Sequence, residues 1–427
     1  MTKITKLRNG LTIVTEPNKN VETVFVSVGI KVGNRNELDS EIGLSHYLEH
    51  LLFKGTTKRT CKELNEAVDS VGAYTNAYTS NEQTVYYIKG LKNHLELAID
   101  VLSDQVLNSI FPQEEMDKES HVVVQEIKRS QDNQNDMLYE GLSSACYPND
   151  RLSTPILGFE NQILAYKSED LKKYYRKHYH TKNMILSVSG NVKHKDVVEL
   201  AKKYFHTKDK FKHKVLSSPE FKSGEVLIHK EEDNQVSVAI AFPLKGHNQL
   251  TLKERKILQL FDTIMSSGMT SKLFSEIREK RGLVYSVSSF VEFFTNTGLF
   301  GITGGTDNTK VEEFLEATAL VLNTFKDNLT EQDLQKSKNV IKTSTATHLE
   351  SINSQGLSNL TSLQNYGKIF DINETLRIID EITLDDIKKV VTDILKNKPS
   401  ISIYGNAPQI QEKTIGLNKF LEHLYGN

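Results

Sequence analysis

Cysteine is nearly absent: Cys61 and Cys146 are the two in 427 residues. Two are too few for a disulfide framework, and their separation excludes a C-x-x-C metal knuckle, so each reads as a buried free thiol. An excess of charge of either sign is also lacking. The 53 Lys and Arg are balanced by 55 Asp and Glu, for a net charge of -2. Nothing in that balance points to nucleic acid or an anionic membrane as a partner. No apolar run reaches the length of a membrane span. The first residues, Met1 to Val14, alternate like a strand and carry no signal-peptide core. The chain as numbered is therefore expected in the cytoplasm, or in the mitochondrial matrix if a targeting segment precedes it.

What is present is ordinary for a globular protein, with 38% hydrophobic and 25% charged residues. At 427 residues the chain exceeds one hydrophobic core, so two or more domains are expected. Leu7 to Val14 reads as a strand pair around an Asn-Gly turn, and Val24 to Lys31 alternates as a strand. Gly33 to Glu41 reads as a polar loop. Helices are expected from Gly43, over Cys61 to Val71, over Asn93 to Ile110 and over Gln113 to about Gln131, with two strands between Gly72 and Lys89. After a Lys- and Ser-rich stretch the order recurs. Strands over Val226 to His229 and Gln235 to Phe242 precede helices over Thr251 to Ile264 and Thr270 to Lys280. Strands over Gly282 to Val291 and Gly298 to Gly304 then lead to helices over Thr309 to Lys326 and Thr330 to His348. This repetition predicts a duplicated α+β fold, each copy an antiparallel-rich sheet with helices packed on one face. The expected division is 1–210, a linker at 211–223, and 224–427.

The stretch from Gly43 to Thr56 carries the chemistry. His46, Glu49 and His50 read H-x-x-E-H. On a helix, positions i and i+4 share a face, so both imidazoles can address one point, with Glu49 beside them. Two imidazoles and an adjacent carboxylate suit a zinc ion with an open position for water and a general base. The plainer alternative is a solvated helix that happens to hold two histidines. A catalytic zinc also needs a third protein ligand. In the Gln113 helix, Glu119 and Glu126 lie two turns apart on one face, and Met116, Val122, Val123 and Ile127 form its expected core stripe. Glu126 lies 76 residues after His50.

With that spacing the sequence resembles the zinc peptidases that include pitrilysin, insulin-degrading enzyme and the mitochondrial processing peptidase. Thr75 to Ser80 and Leu273 to Ser286 are similar to two further signatures of that family, and the length matches its short, two-repeat members. The resemblance implies one Zn²⁺ per chain, held by His46, His50 and Glu126, with Glu49 as general base and Glu119 supporting a ligand. It further implies that Arg281 and Tyr285, from the second repeat, bind substrate and stabilise the oxyanion, with the two domains facing each other across a cavity. Asn76 and Ala77 would flank an extended peptide added to their strand. Asp132, Asn133 and Asp136 could face a basic substrate, or form a solvated loop. Aligned by element, the second repeat places Gln259, Asp262 and Thr263 opposite the motif and Ser344 near Glu126, which leaves one metal site. The expected activity is endoproteolysis of short or unfolded peptides, presequence-like ones among them. The expected assembly is a homodimer or a monomer. The competing expectation is a non-catalytic scaffold or partner subunit of a related peptidase complex, although such subunits generally lack a full ligand set.

Overall fold

A computed structural model describes residues 2–206, 216–231, 234–408, 410 and 415–426. Part of the expected linker, 211–215, lies outside them. The chain forms two compact units, each discontinuous in sequence. The first comprises Met1–Lys128, Pro155–Leu216 and Ala346–Ile369; the second comprises Arg129–Thr154, Ser217–Thr345 and Phe370–Asn427. A division at 211–223 therefore differs from the packing at two segments: 129–154 packs with the second unit, and 346–369 with the first.

The first unit is built on six strands: β1 (Lys3–Lys6), β2 (Thr12–Pro17), β3 (Thr23–Ile30), β4 (Tyr74–Thr79), β5 (Thr84–Leu91) and β6 (Met184–Gly190), in the order β1-β2-β6-β3-β5-β4. β2 and β6 are parallel, and the other pairings are antiparallel. The second unit has β7 (Glu225–Ile228), β8 (Gln235–Leu244), β9 (Val284–Phe293), β10 (Gly298–Asp307) and β11 (Ser400–Tyr404), in the order β7-β11-β8-β10-β9. Apart from β1, the two orders match strand for strand, including the single parallel pair next to the inserted last strand. The repeat expected from element order is thus present in the topology.

Alternation along β3 explains how each sheet is covered. Val24, Val26, Val28 and Ile30 enter the main core with helices α1 (Leu44–Leu51), α2 (Cys61–Asp69), α3 (Leu95–Asn108) and α4 (Gln113–Asp132). Each such side chain contributes about 1.5–3 kcal/mol when fully buried. Phe25, Ser27 and Gly29 point the other way, yet they are buried as well. Helix Ile352–Tyr366 lies on them: Gly29 leaves room for Leu360, and Ser187 and Ser189 on β6 donate to the Gly356 and Ile352 carbonyls. In the second unit, α5 (Gln134–Cys146) covers the same face, with Leu138, Leu142 and Cys146 against Ala239, Ala241 and Leu299. The main helical layer lies on one face, as expected, and one further helix covers part of the other. In both units that helix comes from the opposite half of the sequence. Asp132, Asn133 and Asp136, for which a solvated loop was one expectation, form the α4–α5 junction, where the Asn133 side chain caps α5. Cys146 is buried as expected, whereas Cys61 is only half buried.

Candidate metal centre

Helix α1 holds the motif because its apolar residues anchor it. Leu44, Leu48 and Leu51 are buried in the core, and the Tyr47 hydroxyl donates to the Met116 carbonyl of α4 at 2.6 Å. Its N-cap, Gly43, has φ +84°, and a Cβ there would also sit 2.9 Å from the Gly158 Cα. Only glycine meets both conditions without strain. The cap hydrogen bonds come from farther away. Glu37 accepts from the Gly43 and Ser45 N–H groups at 2.9 and 2.8 Å. Burial pushes the Glu37 carboxyl up to about 7, against the pull of those donors. The expected polar loop 33–41 is buried in its first part, at Asn34, Arg35, Asn36 and Glu37, and exposed at Leu38, Asp39 and Ser40.

Helix α4 presents Glu119 and Glu126 from one face, while Met116, Val123 and Ile127 enter the core. Val122, expected in that stripe, is exposed, and Val124 takes the inner position. The Glu126 carboxylate oxygen lies 3.4 Å from His50 Nε2 and 3.6 Å from His46 Nε2. Both distances exceed an ordinary hydrogen bond. They match the spacing of about 3.3 Å between ligand atoms around a tetrahedral ion with bonds near 2.0–2.1 Å. His46, His50 and Glu126 form the only His/Cys/Asp/Glu group able to hold a metal ion among the described residues.

The neighbours fit a metal as well. Glu119 contacts His50 Nδ1 at 2.9 Å and Lys54 Nζ at 2.5 Å. A carboxylate on Nδ1 selects the tautomer that leaves Nε2 free to coordinate. Burial works against charge on His50, but the Glu119 and Glu126 carboxylates outweigh it and push it up to about 9. Burial, and then the charge of His50, hold His46 below its ordinary value. His46 Nδ1 is buried with no hydrogen-bond partner, so packing in α1 orients this ring. Glu49 lies on the same helix. Burial raises its carboxyl above the usual range, while the Thr79 hydroxyl, donating to Oε2 at 2.5 Å, acts the other way. Thr79, Lys54 and Glu37 were not found from the sequence. Lys54 carried a weak signal, being four residues after His50. Thr79 lay within the Thr75 to Ser80 signature but had no role assigned, and Glu37 carried no signal, since nothing local ties an upstream acid to the motif.

Asn76 and Ala77 lie on β4, the outermost strand of its sheet, which pairs with β5. Arg281 and Tyr285 lie in the second unit. Arg281 follows Phe274–Lys280, which is π-helical where an ordinary helix was expected, and its Nε donates to Glu276 at 3.1 Å. Tyr285 is 81% exposed on β9, with the Arg278 guanidinium 5.1 Å from its ring. In the same unit, helix Leu252–Ser266 corresponds to α1. Its Asp262, opposite Glu49, accepts from Ser289 of β9 at 2.5 Å, much as Glu49 accepts from Thr79. The acid–hydroxyl pair is present in both repeats, whereas the ligand set is in one.

Residues 12–160 match the family described as Insulinase (Peptidase family M16), and residues 166–341 match the Peptidase M16 inactive domain. An uncharacterized zinc protease of Rickettsia felis is 33% identical over 402 residues, spanning 94% of this chain and 97% of that protein. The uncharacterized zinc protease YmxG of Bacillus subtilis is 32% identical over 407 residues, spanning 94% and 98%. A crystal structure described as a protease from Helicobacter pylori superposes with a TM-score of 0.86 at 24% identity, covering 95% of this chain and 99% of that one. This last likeness concerns the fold. No helix among the described residues is long and apolar enough to cross a membrane.

Proposed function

This chain belongs to the insulinase family of peptidases, peptidase family M16, and on that premise we propose that it is a zinc-dependent endopeptidase acting on short or unfolded peptides. The convergence of His46, His50 and Glu126, with Glu49 beside them, carries this reading. These three residues would hold one zinc ion. A bound zinc would supply Lewis-acid polarisation of the scissile carbonyl and would acidify water at neutral pH. Glu119 holds His50 at Nδ1, which would leave Nε2 to the ion. Glu49 takes the proton from the attacking water and passes it to the leaving amine nitrogen. With Thr79 on Oε2, the other carboxylate oxygen is the one available for that transfer.

Substrate would bind extended along the outer edge of β4, as an added strand held by main-chain hydrogen bonds near Asn76 and Ala77. Such binding tolerates many sequences and requires an unfolded segment; presequence-like peptides fall within that class. Arg281 is assigned to substrate carbonyls and Tyr285 to the oxyanion. The alternative of a non-catalytic scaffold is disfavoured by the full ligand set and by Glu49.

Protein purified without chelator is expected to carry one zinc per chain and to cleave an unstructured fluorogenic peptide. A chelator should stop cleavage and added zinc should restore it. Metal-free protein, or cleavage that ignores the chelator, would overturn the assignment. Tyr285→Phe removes a single hydroxyl from an exposed position. It is expected to lower kcat by about 10²–10³-fold, the usual effect of losing one oxyanion donor, with zinc content unchanged. Wild-type turnover in that variant would take Tyr285 out of the mechanism.

A further inference from the structure

The motif supplies the reactive groups but does not by itself fix where they stand. Three ligands and one base must hold a common register, since a misplacement of about 1 Å can cost 10²-fold in rate. His46, Glu49 and His50 all stand on α1, but the Glu49 carboxylate is also held from β4 by the Thr79 hydroxyl, so the placement of the β4–β5 turn against α1 sets how the base is aligned relative to the ligands. One buried stretch, Gly33 to Glu37, touches both. At one end, Glu37 accepts from the Gly43 and Ser45 N–H groups at the start of α1, immediately before His46. At the other end, the Arg35 N–H donates to the Asn81 carbonyl at 3.0 Å. The Arg35 guanidinium donates to Glu82 Oε1 at 2.5 Å, and Asn81 Nδ2 donates to Asn34 Oδ1 at 3.1 Å. Asn81 and Glu82 form the turn that follows Thr79 and Ser80. The approach is close enough that a Cβ on Gly33 would overlap the Ser80 carbonyl oxygen.

We infer that Gly33 to Glu37 is a positioning clamp for the proposed zinc site: Glu37 fixes the start of the ligand-bearing helix, and Arg35 fixes the turn that carries the Thr79 support of Glu49. Glu37 bonds the start of the ligand helix and Arg35 bonds the turn, so both act through others. The two arms have separable effects. Loss of the Glu37 arm disturbs the histidines and hence metal binding. Loss of the Arg35 arm disturbs the base while the ligands stay in place.

This inference rests on the proposed peptidase activity, so the wild type is measured first; a wild type without zinc or cleavage overturns that reading, and the clamp falls with it. The variants are Glu37→Gln, Arg35→Lys and, as a control, Glu41→Gln. Glu41 is a buried acid just beyond the clamp whose partners are the Leu38 N–H and Lys177. Zinc affinity is read by competition with a chromogenic chelator, kcat and KM with a fluorogenic peptide, and thermal midpoints alongside. Glu37→Gln is expected to weaken zinc binding by about tenfold, the scale of losing a group that orients a ligand, with a fall in kcat and KM within about twofold. Arg35→Lys is expected to lower kcat by about tenfold with zinc affinity unchanged. Glu41→Gln should lower the thermal midpoint while leaving both readouts at wild type. The inference is overturned if Glu37→Gln behaves like Glu41→Gln, with a lower midpoint and unchanged zinc affinity. It is also overturned if Arg35→Lys keeps wild-type kcat, an arm that stands even where Glu37→Gln does not fold.

Discussion

Glu49→Gln is expected to lower kcat by about 10²–10⁴-fold, the range attributed to a positioned acid–base group, while zinc content stays at the wild-type level. The substitution preserves shape. The carbonyl oxygen of the new side-chain amide can still accept from Thr79, and no ligand is touched. What is lost is the capacity to take a proton. The fold should not suffer, and the sign follows from the carboxyl's environment. Burial raises the folded-state pKa of Glu49, so the folded protein favours the neutral form. Its contribution to stability is greatest below the unfolded pKa and declines as pH rises through the folded value. A permanently neutral amide escapes that decline, so the metal-free variant should melt at or above the metal-free wild type at neutral pH. Equal cleavage by the two proteins would remove Glu49 as the base. A large drop in midpoint would show the loss of activity to be structural.

His50→Ala is expected to abolish both zinc and turnover. Structural zinc sites with four ligands gather about 10–16 kcal/mol, or about 3 kcal/mol per ligand, so deleting one should weaken binding by about 10²-fold or more. The loss should exceed that simple share, because His50 is also the residue through which Glu119 supports the site. Collapse of the fold is not expected. Glu119 keeps its ion pair with Lys54, and the core residues of α1 are untouched. The variant should therefore melt like chelated wild type and carry almost no metal by elemental analysis after dialysis. A zinc content equal to wild type would exclude His50 as a ligand.

These two variants concern residues that were legible in the chain, and the reason is geometric. His46, Glu49 and His50 lie within two turns of one helix, where spacing in sequence converts directly into direction in space. The buried Leu44, Leu48 and Leu51 belong to the same local pattern. Glu126 was legible by a different route, its distance along the chain matching a family spacing. Elsewhere composition misled. A run as polar as Asn34 to Glu37 reads as a polar loop, yet it is buried, with donors and acceptors satisfied by the start of α1 and the turn after β4. Ser27 and Gly29 read as the outer face of a strand. They are small because a helix from more than three hundred residues later lies against them.

The sequence by itself determined that there are two repeats, that one of them carries an H-x-x-E-H helix, and that the other lacks the ligand set. Those properties are periodicities and spacings, which a linear chain displays. Tertiary structure alone decided which ligand the Glu119 carboxylate meets, which hydroxyl steadies Glu49, what caps the ligand helix, and which half of the chain covers each sheet. Each of these pairs residues far apart along the chain or on different elements. Burial makes such partners obligatory, because a polar group removed from water must find one, but it does not write their identity into the local pattern.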